Sequence, residues 1–265
     1  MSAPLKSLGV IPVRLESTRF PNKPLKDIAG KTLVERVWLQ AKKAKTLSHL
    51  VIATNNKEIA EECTKKGMAF IMTRSDHETG TDRVSEAATL IEAQGHQFDL
   101  VANIQGDMPF VNPEIIDSTI MSLGNSDPSF GMATIGTPIT DRAEFERAAS
   151  VKIALGENGR ALYFSRSPIP HWRNFPGDSV ISETTPFGYK HMGLYIFRRE
   201  TLKRISALPK AFTEQREALE QLRALAHGIV IKVNIVARSS VEPSIEVDTP
   251  EDLQKAIEFA NKSAI

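Results

Sequence analysis

The sequence has 265 residues and a single cysteine, Cys63, so no disulfide can form within one chain. That excludes a disulfide-stapled scaffold and fits a reducing compartment. An apolar run of 18 residues is also missing, which excludes an ordinary membrane-spanning helix. The first residues carry no charged-then-apolar leader, and the expectation is a soluble cytoplasmic protein without membrane contact. Excess charge of either sign is absent: 33 basic residues meet 32 acidic ones, leaving +1. No global field therefore draws in nucleic acid. The motifs G-x-x-x-x-G-K-[ST], G-x-G-x-x-G and G-x-S-x-G do not occur. Their absence removes a Walker loop, a dinucleotide fingerprint and an esterase elbow. The six histidines show no close ligand pairing, and beside one cysteine they do not suggest a zinc site.

What is present reads as a soluble globular protein, 41% hydrophobic and 25% charged. Its length suits one large domain or two small ones, and no repeat or linker divides it. The informative stretch runs from Gly9 to Leu25. It begins as an apolar run that reads as a buried strand and then turns basic, with Arg14, Arg19 and Lys23 interleaved with Ser17 and Thr18. Pro21 and Pro24 stiffen it. A loop leaving the carboxyl end of a buried strand lies where open α/β sheets bind ligands. Arginine forks and a lysine point charge suit phosphate oxygens. The same spacing also suits a solvated surface loop.

Beyond it, Thr32 with Glu35 predicts a capped helix carrying Leu33, Val34, Val37, Trp38 and Ala41. Leu50–Thr54 reads as a strand, Lys57–Lys66 as a helix stopping at Gly67, and Ala69–Met72 as a strand. Thr73 to Arg83 reads as a polar bridge before another helix, and Leu100–Ile104 as a strand. Asn112 and Pro113 then open a helix. This alternation predicts a mostly parallel sheet wrapped by helices on both faces. After Phe130 the rhythm becomes antiparallel: strands at Phe130–Gly136, Val151–Leu155 and Ala161–Ser165, the last two joined by a turn at Glu157–Gly159. Ser167 to Pro186 reads as a loop and Met192–Phe197 as a strand. Glu214–His227 reads as one helix, Ile229–Val236 and Ser244–Val247 as strands, and Pro250 begins the last helix. The expected architecture is one α/β domain over residues 1–265, with an excursion near 151–200.

Asp107 follows a strand and Gly106, a position suited to a hard cation such as Mg²⁺, although a turn aspartate bonding local amides fits equally. Asp248 precedes Thr249 and Pro250. Thr249 takes the N-cap there, which relieves Asp248 of that job. The two aspartates could share one Mg²⁺ against a triphosphate. On the Glu214 helix, Glu217, Glu220 and Gln221 fall at i, i+3 and i+4, either to grip a polyhydroxylated ligand or as a solvated face.

Taken together, Ile11-Pro-Val-Arg14, Ser17-Thr-Arg-Phe-Pro21, Lys23-Pro-Leu25, Met72-Thr-Arg74, Gly80-Thr-Asp-Arg83 and Asn103-Ile-Gln-Gly-Asp107 resemble the 3-deoxy-manno-octulosonate (Kdo) cytidylyltransferases. So do Ala161-Leu-Tyr-Phe-Ser-Arg166, Lys190-His-Met-Gly-Leu-Tyr195, Leu219-Glu-Gln-Leu-Arg223 and Val247-Asp-Thr-Pro-Glu-Asp-Leu253. The resemblance spans nearly the whole chain in order. It implies a Rossmann-like, single-domain nucleotidyltransferase fold, usually homodimeric. The enzyme joins CTP to an acidic octulosonate sugar for lipopolysaccharide or capsule synthesis and releases pyrophosphate.

By that resemblance, Arg14 and Lys23 hold the triphosphate, Ser17 lines the same pocket, and Asp107 with Asp248 hold Mg²⁺. Arg74, Arg83 and Gln105 lie around the nucleotide or sugar. Arg166, His191, Tyr195, Glu220 and Gln221 form the sugar side, and the excursion near 151–200 takes part in sugar binding and dimer contacts. Four places depart from the family pattern. Met108 replaces a glutamate, Asn55 an aspartate and Asn22 a glycine, and the stretch Ser167–Trp172 is altered. These departures keep an 8-amino analogue of Kdo, another acidic sugar such as a sialate, or a non-catalytic CTP-binding regulator as alternatives. A glycosyltransferase would call for an Asp-x-Asp motif, which is absent.

Overall fold

The computed structural model describes residues 5–16 and 20–263. The fold is α/β, with strands and helices alternating through its first half. The chain divides into two compact units: Met1–Asp117 with Glu242–Ile265, and Ser118–Val241. The stretch 151–200 falls within the second unit.

In the first unit, strand β1 (Ser7–Pro12) is followed by a small antiparallel pair, β2 (Asp27–Ile28) and β3 (Lys31–Thr32). Then come α1 (Leu33–Ala41), β4 (His49–Thr54), α2 (Lys57–Lys66), β5 (Phe70–Met72), α3 (Gly80–Glu92) and β6 (Leu100–Asn103). The main strands run parallel in the order β6-β1-β4-β5. Central β1 is buried from Ser7 to Ile11. A near-continuous apolar run is the signature of a parallel strand covered on both faces.

Local signals set the helix ends. Thr32 Oγ1 accepts from the Glu35 amide at 3.3 Å, while the Glu35 carboxylate reaches Lys66 at 2.9 Å. α2 stops at Gly67 in the left-handed region, φ 63. Its Cys63 is buried, and burial pushes the thiol up to about 11, which leaves it unreactive at neutral pH. α3 begins earlier than its apolar pattern suggested. Thr79 and Asp82 cap each other's amides at 3.1 and 3.2 Å, so Arg83 lies in the helix's first turn instead of a polar bridge. Helix α4 (Pro113–Gly124) opens as expected, with Asn112 Oδ1 accepting from the Glu114 amide at 3.0 Å.

The second unit contains β7 (Phe130–Ile139), α5 (Arg142–Glu146), β8 (Lys152–Leu155), β9 (Ala161–Ser165) and β10 (Gly188–Arg198). It continues with α6 (Arg199–Ser206), α7 (Phe212–Glu217), α8 (Gln221–Ala226), β11 (Val230–Ile235) and α9 (Arg238–Val241). Strand order is β11-β7-β10-β8-β9, with β11 parallel to β7 and the other pairs antiparallel. The Glu157–Gly159 turn joins β8 to β9, with Asn158 and Gly159 both at positive φ.

The single helix expected over Glu214–His227 is two helices. Ala218 stands between them in the left-handed region, φ 51. The break is held by a buried fork: Arg223 donates to both Glu214 oxygens at 3.0 and 2.6 Å, and the Ala211 amide donates to the same carboxylate. Glu217 and Glu220 therefore do not share one helical face.

The chain returns to the first unit at Glu242. Ser244–Val247 forms no strand, contrary to expectation. Pro243 has no amide to donate, and the Val247 amide donates to the Asp107 carbonyl at 2.9 Å instead of to a ladder partner. Helix α10 (Pro250–Ser263) follows, with Thr249 and Asp252 capping each other's amides at 3.2 Å.

Candidate active site

Because β1 and β6 are parallel neighbours, their carboxyl-terminal exits lie side by side. The chain leaves β1 through Val13, Arg14 and Glu16, and leaves β6 through Gln105, Gly106 and Asp107. With Lys23 and Asp248 these residues line a cleft of about 740 Å³. Gly106 is required by space. A Cβ there would sit 2.9 Å from Val13 Cγ1 and 3.0 Å from the Pro12 carbonyl oxygen. A larger residue would push the Asp107 turn away from β1.

Lys23 enters the cleft from a turn that Asn22 begins at φ 57, ψ 21. Asparagine is the residue that best shares glycine's tolerance of this region, so its presence keeps the backbone that glycine would allow. Lys23 Nζ lies 3.3 Å from Asp107 Oδ2 and 3.0 Å from Asp248 Oδ1. The Val247–Asp107 backbone bond brings Asp248 alongside Asp107, and Thr249, not Asp248, caps α10. Burial raises the Asp107 carboxyl above the usual range; Lys23 opposes the shift and the Asp248 charge adds to it.

Two carboxylates converging on one ammonium form a donor set with room for more positive charge. Among the described residues no cluster of three or more His, Cys, Asp or Glu could hold a metal by itself. The pair fits Mg²⁺, which takes one or two protein carboxylates and completes its shell with phosphate oxygens and water.

Of the other residues expected on the nucleotide side, Ser17 lies outside the described residues. Arg14 and Gln105 line the cleft. Arg83 and Arg74 are not among its lining residues. Arg83 is buried and donates to Thr73 Oγ1 at 2.5 Å, while Arg74 is exposed beside Asp76 and Glu86. Met108 is buried and likewise absent from the lining, so the methionine belongs to the protein interior and not to the carboxylate pair.

Sequence reasoning passed over Glu16. Its Oε1 accepts from Asn55 Nδ2 at 3.2 Å and Asn56 Nδ2 at 3.0 Å, and these bonds hold its carboxyl below the usual range. Asn55 supplies a donor that an aspartate could not. The signal was a lone acid inside an otherwise basic loop.

The residues expected on the sugar side all belong to the second unit. Tyr195 Oη donates to Gln221 Oε1 at 3.1 Å, and the Tyr195 and His191 rings lie 5.5 Å apart. His191 Nε2 meets Thr134 Oγ1 at 2.9 Å, and burial lowers the imidazole to about 3. It is therefore a neutral ring at physiological pH. The cation of this group is Arg166. Its Nε donates to the Glu217 carbonyl at 2.8 Å and its Nη1 to the Ala148 carbonyl at 3.3 Å. Gln221 is buried in the first turn of α8, and Glu220 directly precedes that helix.

A family model described as Cytidylyltransferase matches residues 8–234. A 3-deoxy-manno-octulosonate cytidylyltransferase of Bacteroides thetaiotaomicron is 44% identical over 258 residues, 96% of this chain and 98% of its own length. One of Syntrophotalea carbinolica is 40% identical over 246 residues, 92% of this chain and 94% of its own. A solved CMP:2-keto-3-deoxy-manno-octonic acid synthetase complexed with CTP matches with a TM-score of 0.85 at 34% identity, covering 97% of this chain and 99% of that one.

Proposed function

This chain belongs to the 3-deoxy-manno-octulosonate cytidylyltransferase family, and from that premise we propose that it joins the cytidylyl group of CTP to the anomeric hydroxyl of Kdo. The sugar oxygen attacks the α-phosphorus, the bond to the β-phosphate oxygen breaks, and pyrophosphate leaves. The observation that carries the reading is the convergence of Asp107 and Asp248 on Lys23 in a cleft that Arg14 also lines. Such a reaction calls for gathered charge and in-line placement more than for a covalent nucleophile.

Arg14 and Lys23 gather the triphosphate and take up charge on the departing pyrophosphate. Asp107 and Asp248 hold Mg²⁺, which when bound neutralises phosphate charge and makes the sugar hydroxyl easier to deprotonate. By family likeness Ser17, Gln105, Arg74 and Arg83 serve the nucleotide and its surroundings. Arg166 answers the sugar carboxylate. Tyr195, Glu220, Gln221 and neutral His191 offer donors and acceptors for its hydroxyls.

The enzyme works in the cytoplasm as a homodimer, for lipopolysaccharide or capsule synthesis. Leu162, Trp172 and Val180, large apolar side chains exposed within 151–200, support a self-contact there. Sedimentation at micromolar concentration tests the dimer. For the reaction, pyrophosphate release from CTP and Mg²⁺ is measured with Kdo, 8-amino-Kdo and sialic acid in parallel. Turnover preferring Kdo is expected; turnover with none, despite CTP binding, would overturn the catalytic reading.

A further inference from the structure

Glu217 falls two residues before the Leu219–Arg223 motif, yet the neighbourhood of Arg166 is built around it. Its Oε1 accepts from Ser165 Oγ at 2.6 Å and its Oε2 from the Arg166 amide at 2.9 Å. Its own carbonyl accepts Arg166 Nε at 2.8 Å. That carbonyl closes α7, where the helix leaves its last acceptors unused, and the left-handed turn at Ala218 directs the chain away. Both ends of Glu217 are thus spent on two consecutive residues at the end of β9.

A second group holds the same point from the other side. Lys152 on β8 is fully buried, and its Nζ donates to the Arg147 carbonyl at 2.9 Å and the Arg166 carbonyl at 2.5 Å. Among the described residues no carboxylate forms an ion pair with it. Burying an ammonium against carbonyls alone is costly, and a methionine would fill the volume at less cost. The nearby Glu217 charge favours the ammonium, and burial lowers its proton affinity.

Arg166 is consequently fixed at its amide, its carbonyl, its Nε and its Nη1. Nη2 is the guanidinium nitrogen with no partner among the described residues. We infer that Glu217 and Lys152 are positioning residues that present Arg166 Nη2 to the carboxylate of the acceptor sugar, and that Glu217 itself does not touch the sugar. The inference rests on the reading of Arg166 as the sugar's cation. It separates Glu217 from Glu220, which the spacing alone had placed together.

The test compares Glu217→Gln, Lys152→Met and Arg166→Ala by steady-state kinetics with each substrate varied in turn. Glu217→Gln and Lys152→Met should each raise the Kdo KM about 10- to 100-fold, the scale on which small misplacements act, with the CTP KM unchanged. The double variant Glu217→Gln with Arg166→Ala should be no worse than Arg166→Ala alone, since the positioned group is already gone. A general loss of folding would lower the apparent kcat with either substrate varied and leave both KM values alone, so it cannot produce that pattern. If Glu217→Gln does not yield folded protein, Ser165→Ala removes one anchor of the same carboxylate and should shift the Kdo KM in the same direction. If Arg166→Ala raises the Kdo KM while the Glu217, Lys152 and Ser165 variants leave it unchanged, the positioning role is wrong and the Arg166 reading survives. An unchanged Kdo KM in Arg166→Ala would overturn both.

Discussion

Lys23 Nζ stands between two carboxylates from distant parts of the chain, 3.3 Å from Asp107 and 3.0 Å from Asp248. The lysine and a divalent cation are thus rivals for the same pair of oxygens. Replacing Asp107 or Asp248 with Asn should raise the Mg²⁺ concentration needed for half-maximal rate and lower kcat at least about 10²-fold, the scale of losing one electrostatic contact to the transition state. Lys23→Met should lower kcat on a similar scale without raising the Mg²⁺ requirement, because a competing cation has gone. Pyrophosphate release across a magnesium titration reads both effects. Full activity in Asp248→Asn would remove that residue from the metal role.

Neutral His191 sets a sign for pH dependence. Its folded value of about 3 lies below the unfolded imidazole's ordinary 6.5. As pH falls below 6.5 the unfolded chain takes up a proton that the folded chain refuses, so stability is lost progressively toward pH 3. His191→Gln should flatten the stability profile between about pH 4 and 6, measured by urea unfolding. The ring's NMR signals should show no titration through neutral pH, and the Kdo KM should carry no inflection from it there.

Asn22 offers a test of backbone strain. Asn22→Gly should leave stability nearly unchanged, since φ 57 suits glycine. Asn22→Val should cost about 1–2 kcal/mol, because a β-branched side chain crowds the left-handed region. Thermal unfolding gives the comparison, and the valine variant should also lose turnover because Lys23 follows directly.

Met108 puts one family departure to the test. Restoring the family's glutamate by Met108→Glu puts a carboxylate at a buried position. The expected result is destabilisation of about 1–3 kcal/mol without any gain in kcat. A gain in turnover with unchanged stability would mean that the side chain at 108 reaches the cleft.

The first half of the fold was legible because its signals are local. The buried run of β1, the Thr32 and Asn112 caps and the stop at Gly67 depend on neighbouring residues only. That Asp248 does not cap α10 was legible for the same reason: Thr249 with Asp252 takes the job. What stayed hidden depended on contacts distant in sequence or on strain. Nothing near Ala218 announces a left-handed alanine, since the Glu214–Arg223 fork that braces the break spans nine residues. Helix α6 escaped notice because its charged sequence buries only Arg199, Leu202 and Ile205. Ser244–Val247 has the residues of a strand and lacks a ladder to join. Glu16 had no visible role until Asn55 and Asn56 came within reach across the sheet's end.

The first compact unit is made from the two ends of the chain, Met1–Asp117 and Glu242–Ile265. Arg14, Lys23 and Asp107 leave the ribosome early, whereas Asp248 emerges only after the whole second unit has been synthesised. During translation the nascent cleft is therefore a lysine with half its counter-charge, and the bond from Val247 to Asp107 cannot yet form. The second acid joins only when the last segment docks, so a chain interrupted before Asp248 carries the cations for gathering phosphate without it.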